Sequence, residues 1–209
     1  LPIYDIVIPP DTFQKLAAHY QNQRIEAVIG LLRPLTRYGN LCSQYKNYYM
    51  HYTYLKLPRG VSVFYTSIAS IRRQTFRRAG GFDSLYRSAT IEDMEFGVRV
   101  TAAGAGIIID KSLQVDHIRH YTLPKLLSTD FHRASGLAKM ALRDRLRRED
   151  KTGYVTTSPS FLAGIVLSFI AVLLLAGALL FSRWIVLAAV AALLSVVILN
   201  LRFLLGLSR

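Results

Sequence analysis

The sequence predicts an α/β domain followed by two transmembrane α-helices. Up to about residue 123, apolar runs of strand length are interspersed with segments of helical periodicity. The run Ser160–Phe181 carries no charge and is long enough to cross a bilayer, which needs about 20 residues. The charged residues divide the chain shortly before this run, since from Thr152 onward there are three arginines and no acid.

The first elements predict an αβ unit. Asp5–Ile8 is the end of a strand that a double proline stops, and Thr12–Asn22 follows with helical spacing. Ile25–Leu32 is a short apolar run of the kind that forms a buried strand. The tyrosine-rich segment Leu41–Leu57 is interpreted as an amphipathic helix packed on the domain. A membrane interface or base stacking are the alternatives for its tyrosines.

The middle of the chain predicts three strands and two helices. Val61–Ile71 is strand-like, because β-branched and aromatic residues dominate it. Arg72–Ala79 is a short basic helix that ends at a Gly-Gly pair. A second helix runs to about Ala103, and the short buried strands Ile107–Asp110 and Leu113–His117 come after it.

Three carboxylates crowd into the start of that second helix. Thr90 is a candidate N-cap, so that Glu92, Asp93 and Glu95 fall in the first turn, where backbone N–H groups and the macrodipole favour negative charge. This placement in the first turn is enough to explain the three acids without a catalytic role. The triplet also lies between two strand-like runs, where a carboxylate is well placed to take a proton from a substrate. Both interpretations stay open on this stretch alone.

The last third of the chain indicates a membrane location. Pro124–Arg148 is a basic amphipathic helix that we expect to lie along the membrane surface. Ser160–Phe181 and Ile185–Leu207 would form an antiparallel transmembrane hairpin. The basic run Arg143–Arg148 places the larger domain on the cytoplasmic side of a multi-pass cell-membrane protein. The predicted domains are residues 1–123, 124–152 and 153–209.

The formal net charge of +13 narrows the classes of partner. Such an excess suits phosphate-rich ligands, nucleic acid or an anionic membrane surface. Nucleic acid is disfavoured, because no recognition module occurs and the chain has predicted spans. The single cysteine, Cys42, excludes an intrachain disulfide and fits a reducing compartment.

Several short motifs follow one another between Asp5 and Arg148. They are Pro9-Pro10-Asp11; Phe64-Tyr65-Thr66-Ser67; Ile71-Arg72-Arg73; Gly80-Gly81-Phe82-Asp83; Ile91-Glu92-Asp93-Met94-Glu95; Gly104, then Val115-Asp116-His117; and Phe131-His132-Arg133. This ordered set resembles the C-terminal half of the catalytic domain of membrane-anchored family 2 glycosyltransferases. The resemblance implies a partial GT-A (Rossmann-like) fold. It also implies that the nucleotide-binding half lies outside this chain, which would then be a fragment.

The resemblance implies inverting transfer of a sugar from a nucleotide-diphospho-sugar donor to a lipid-linked or cell-envelope glycan acceptor. Asp93 matches the family's catalytic base, and Glu92 would raise its proton affinity, together with Glu95, or orient the helix start. Thr66 and Ser67 match substrate-binding positions. Arg133 falls where the family often has an arginine facing the diphosphate. A solvated arginine on a basic helix is the alternative.

A divalent metal, Mg²⁺ or Mn²⁺, is the cofactor that the resemblance implies. The family's metal motif is Asp-x-Asp, whose carboxylates hold the ion against the diphosphate. Asp5 falls at the second aspartate, but Ile3 occupies the position of the first. His117, just after a strand, is a second candidate ligand, with a hydrogen-bonded interfacial histidine as its alternative.

A non-catalytic membrane adaptor is the competing function. Such a protein would bind anionic lipid through the basic helix Pro124–Arg148. Asp93 separates the two functions, because an adaptor has no need of a carboxylate cluster in a cleft.

Overall fold

The computed structural model describes residues 5–86, 91–146, 159–178 and 183–207. The chain divides into two compact units, Leu1–Thr156 and Thr157–Arg209. The first unit is a mixed α/β structure, and the described part of the second is helical. The three-part division predicted from the sequence stays a prediction.

The first unit begins with a strand and ends with a long helix. In chain order its described elements are β1 (Ile6–Val7), α1 (Thr12–Tyr20), β2 (Ala27–Leu32), α2 (Leu41–Leu55), β3 (Gly60–Val61), a 3-10 turn (Thr66–Ile68), β4 (Ala69–Ile71), α3 (Arg73–Arg78), α4 (Glu92–Ala102), β5 (Ile107–His117) and α5 (Leu123–Leu146).

A mixed sheet with the strand order β1-β5-β2-β4 is the centre of this unit, and β3 pairs with β5 beside it. β2 and β5 are parallel, whereas the other pairs are antiparallel. Every residue of β2 is buried, as a continuous apolar run predicts for a central strand. The sheet brings the end of β5 beside β1, with Ile6 opposite His117.

The N-terminal predictions are confirmed. The strand at Ile6, the helix from Thr12, the buried strand ending at Leu32 and the helix from Leu41 all form. The interpretation of α2 as a helix packed on the domain also holds. Its buried residues are mostly polar: Ser43, Lys46, Asn47, Met50, His51, Thr53 and Tyr54.

The prediction of a single strand over Val61–Ile71 was wrong. Only the two ends of this segment pair in the sheet, as β3 and β4, and the 3-10 turn lies between them. Val63, Phe64 and Tyr65 are buried, as their composition suggests, but not in a ladder. The backbone of Val63 and Phe64 lies against Gly97 of α4, and the Tyr65 ring packs on Tyr54 of α2. Apolar β-type residues satisfy any buried surface, so tertiary packing overrode strand propensity here.

The prediction of two strands at Ile107–Asp110 and Leu113–His117 was also wrong, because β5 is continuous through both. Its pairing with β2 shifts register between Ile29 and Leu31, so that the polar residues between the two apolar runs are accommodated in the strand. The shift needs a glycine at position 30, since a Cβ on Gly30 would lie 2.3 Å from the Leu113 carbonyl oxygen.

The predicted helices around the acidic triplet form close to the expected places. α3 ends at Arg78 with Ala79 as its cap, and Gly80 and Gly81 follow with positive φ. α4 begins at Glu92, with Ile91 in the cap position and no side-chain cap. The predicted cap, Thr90, lies outside the described residues.

The second unit contains α6 (Pro159–Ala178), α7 (Arg183–Leu199) and α8 (Leu201–Leu207), and α6 packs against α7. Within the described residues, none of these helices alone has the length and apolarity for a membrane span. The stretch Val186–Leu199 together with α8 meets both criteria, but the pair is bent by 64°.

Candidate active site

A cavity of about 420 Å³ lies in the first unit, where the 3-10 turn, the start of α4, the end of β5 and α5 meet. It is lined by all of the site residues predicted from the sequence: Asp5, Thr66, Ser67, Glu92, Asp93, His117 and Arg133. These residues are up to 128 positions apart in the chain (133 − 5), so the fold brings them together.

Asp93 lies in the first turn of α4 and is only 8% exposed. Its Oδ2 accepts a hydrogen bond from Thr66 Oγ1 at 3.2 Å and a longer one from the Thr66 amide at 3.4 Å. Its Oδ1 accepts a hydrogen bond from the Met94 amide at 2.8 Å. Both carboxylate oxygens are therefore held, and the side chain lines the cavity in a fixed orientation.

The close approach of α4 to the segment before Thr66 explains how this contact forms. A Cβ on Gly97 would lie 2.3 Å from the Phe64 amide nitrogen and 2.7 Å from the Ser62 carbonyl oxygen. Only glycine permits this approach. The rings of Phe64, Phe76 and Phe82 surround Phe96, one residue earlier on α4, at centroid distances of 4.9–5.2 Å.

The pKa of Asp93 is raised, chiefly because burial disfavours the carboxylate and further because Glu92 adds negative charge nearby. The positive charge of Arg133 and the amides of Thr66 and Met94 oppose this increase. A buried carboxyl group in a cavity with a raised pKa has the properties of a general base.

The acidic triplet divides into two groups with different surroundings. Glu92 lines the cavity beside Asp93, whereas Glu95 is 7% exposed and its Oε2 is 2.8 Å from Arg99 Nη2. Arg99 also donates to the carbonyl oxygens of Ala79 and Gly81. Glu95 therefore stabilises the packing of the Gly-Gly turn on α4 through Arg99. Glu92 is the neighbour that raises the pKa of Asp93.

Arg133 reaches the cavity from α5. Its Nη2 is 3.7 Å from Met94 Sδ, and its side chain is half-buried rather than solvated. It is close enough to Asp93 to lower the pKa of that carboxyl. The structure therefore favours a location inside the site over the solvated alternative.

Asp5 and His117 lie together at the end of the cavity formed by β1 and β5. The Ile118 amide donates to the Asp5 carbonyl oxygen at 2.7 Å, which fixes the two strands beside each other. His117 is 9% exposed, and burial is the main cause of its lowered pKa, so the imidazole is neutral as a metal ligand requires. The Asp5 carboxylate is 3.5 Å from Arg119 Nη1.

These two residues supply a small donor set for a metal. In the part of the chain that the structure describes, no three His, Cys, Asp or Glu residues are grouped so as to hold an ion. Mg²⁺ is commonly held by one or two carboxylates, with water and substrate phosphates completing its coordination. The pair Asp5 and His117 fits an ion completed by a diphosphate, and does not fit a site made of protein ligands alone.

Further lining residues were missed by the sequence analysis. They are Ile6, Lys46, Met50, Tyr65, Arg119, Tyr121, Ser128, Thr129 and His132. Burial raises the pKa of Tyr65 to about 12, so its phenol stays protonated. Lys46 could have been found from spacing, because Lys46, Met50 and Tyr54 occupy successive turns on one face of a predicted helix.

The comparisons with known proteins identify the family. The model of glycosyl transferase family group 2 matches residues 5–207, which include the cavity and the helices of the second unit. None of the curated proteins matches the chain. The family match covers nearly the whole chain, so the chain belongs to glycosyl transferase family group 2 and is of the transferase class of enzymes.

Proposed function

We propose that this cavity catalyses inverting transfer of a sugar from a nucleotide-diphospho-sugar to an acceptor hydroxyl, with Asp93 as general base. The observation that carries the proposal is the state of Asp93, a carboxylate 8% exposed and with a raised pKa, at the wall of a 420 Å³ cavity. A base of raised proton affinity is what removal of a hydroxyl proton needs.

In the proposed step, the acceptor oxygen forms a bond to the anomeric carbon as the bond from that carbon to the diphosphate breaks. The electron pair of the broken bond leaves with the diphosphate oxygen, and the acceptor proton moves to Asp93. Attack from the face opposite the leaving group inverts the anomeric centre. Glu92 keeps the proton affinity of Asp93 high, which favours the transfer of the proton.

Three further residues have binding roles in this proposal. Thr66 orients the base through its hydrogen bonds and borders the acceptor, while Ser67 offers a hydroxyl to the bound sugar. Arg133 contributes a positive charge near Asp93, where it attracts the diphosphate.

Members of this family commonly use divalent metals, and we propose Asp5 and His117 as the residues that hold one. A bound Mg²⁺ or Mn²⁺ would neutralise part of the charge on the diphosphate. Asp5 offers a carboxylate directly before β1, and His117 offers a neutral imidazole at the end of the neighbouring β5; both residues line the cavity. The prediction is tested by Mn²⁺ binding to the chain, which Asp5→Asn should weaken. Unchanged binding by that variant would contradict it.

We also propose that the enzyme is a multi-pass cell-membrane protein with its catalytic part cytoplasmic, acting on a lipid-linked or cell-envelope acceptor. Support comes from the apolar helices of the second unit and from exposed Leu123, Leu127 and Phe131, which recur at every fourth residue along α5. Reporter fusions placed after Arg148 and after Arg209 should both report cytoplasm. Opposite sides for the two fusions would contradict the hairpin topology.

The adaptor interpretation is not needed, because a member of this family is a transferase.

The direct test of the proposed reaction is the configuration of its product. In the enzyme that carries this chain, nuclear magnetic resonance should show the anomeric centre inverted relative to the donor. A product with the donor's configuration would contradict direct displacement.

A further inference from the structure

Lys46 is a buried cation that the proposed reaction has not yet used. It lies on α2, is 5% exposed and lines the cavity. Among the described residues it makes one hydrogen bond, to Asp130 of α5, and its ammonium group is 5.8 Å from the centre of the Tyr49 ring. A lysine ammonium has three N–H donors, so two remain for a ligand in the cavity.

Arg119 is a second cation at the same end of the cavity. It follows β5, its guanidinium lies 5.3 Å from the centre of the Tyr121 ring, and its Nη1 is 3.5 Å from Asp5 Oδ2. The guanidinium is within cation–π range of the ring, and the long contact to Asp5 leaves most of its five N–H donors available. Planar guanidinium groups bind phosphate oxygens in pairs.

The two cations face the same cavity. Lys46 and Arg119 line it together with Asp5 and His117, and Arg119 Nη1 reaches the Asp5 carboxylate. Each cation has one carboxylate nearby, Asp130 for Lys46 and Asp5 for Arg119. A polyanion placed here would be attracted by both cations.

We propose that Lys46 and Arg119 bind the diphosphate of the donor directly, so that the chain retains affinity for a diphosphate when no divalent metal is bound. The inference rests on the proposed function and deepens it, because it assigns the groups that receive the leaving diphosphate. As the bond from the anomeric carbon to oxygen breaks, the negative charge on the departing oxygen increases. Fixed N–H donors that face the cavity stabilise that charge. A metal, when bound, would add to this stabilisation rather than provide all of it.

The test is calorimetric titration of the purified full chain with inorganic pyrophosphate in the presence of EDTA. We expect saturable binding of one pyrophosphate. Lys46→Met keeps the length of the side chain and removes its charge, and should weaken binding about tenfold to a hundredfold. Arg119→Gln should weaken it to a similar extent, and Lys46→Arg should retain most of the affinity.

Lys56→Met is the matched control, because Lys56 is an exposed lysine directly after the same helix and does not line the cavity. It removes the same charge and should leave the affinity within about twofold. Far-ultraviolet circular dichroism and thermal melts establish that each variant folds. If Lys46→Met unfolds, Arg119→Gln and Lys46→Arg still decide the result.

Two results would overturn the proposal. One is pyrophosphate binding that disappears in EDTA and returns with Mg²⁺. The other is equal weakening by Lys46→Met and Lys56→Met, which would indicate attraction to the net charge of the chain. Pyrophosphate binding requires neither an acceptor nor a base, so the outcome is independent of whether Asp93 proves to be the base.

Discussion

The Thr66 hydroxyl donates a hydrogen bond to Asp93 Oδ2 across 3.2 Å, joining the 3-10 turn after the Phe-Tyr pair to the first turn of α4. Twenty-seven positions separate the two residues. The contact connects two motifs, each of which is weak evidence for the family when taken alone. A donor to a carboxylate oxygen stabilises its ionised form, so the hydroxyl acts in the same direction as the Thr66 amide, which opposes the burial that raises the pKa of Asp93.

The first prediction concerns this hydrogen bond. Thr66→Val keeps the shape of the side chain and removes the donor, so the pKa of Asp93 should rise further above its ordinary value. The base must be deprotonated to act, so the acidic limb of the transfer rate against pH should move to higher pH. Single-turnover rates across a pH series measure this movement. Thr66→Ser retains the hydroxyl and should leave the limb in place, and an unmoved limb in Thr66→Val would contradict the assignment.

The second prediction concerns Gly97. Gly97→Ala places a methyl group 2.3 Å from the Phe64 amide nitrogen, so α4 must move away from the segment that carries Thr66. We expect the free energy of unfolding to fall by about 1–3 kcal/mol, as overpacking typically costs. Thermal or denaturant unfolding measures the change. Gly39→Ala is the control, because a Cβ there has nothing within 4 Å. Equal stability of the two variants would contradict the close packing.

The third prediction concerns α5 and the membrane. A peptide of residues 123–148 should bind anionic vesicles, with each basic residue near the surface contributing about 1 kcal/mol. Replacing Arg143, Arg145, Arg147 and Arg148 by Gln should weaken binding, and so should added salt. Replacing Leu127 and Phe131 by Gln should weaken it in a salt-independent way. Equal binding to neutral vesicles would count against a role for the arginines.

The sequence predicted the parts of the site that local chemistry determines. The acids at the start of α4 were predicted from local pattern, whereas the resemblance of the ordered motifs to family 2 glycosyltransferases supplied the other candidate residues that line the cavity. The strand β2 was predicted because a continuous apolar run of six residues fits a central strand. These features depend on neighbours within one turn or one strand, and pattern alone registers them.

The missed features depend on contacts between distant segments. The 3-10 turn at Thr66 exists because α4 packs on the residues before it, and composition there favours a strand. Lys46 is in the cavity because α5 brings Asp130 beside α2, 84 positions away. The continuity of β5 depends on the register shift opposite Gly30. No periodicity within a single segment contains this information.

The most direct test of the account compares Asp93→Asn with the unsubstituted enzyme in single-turnover sugar transfer at saturating donor, alongside the affinity for the nucleotide-sugar. Asn keeps the size of the side chain but cannot accept the proton, so transfer should fall by about 10²–10⁴ while donor affinity persists. Asp110→Asn serves as a control, because Asp110 pairs with His19 at 2.7 Å and does not line the cavity. It should transfer at nearly the normal rate. Near-normal transfer by Asp93→Asn would contradict the role of Asp93 as the base.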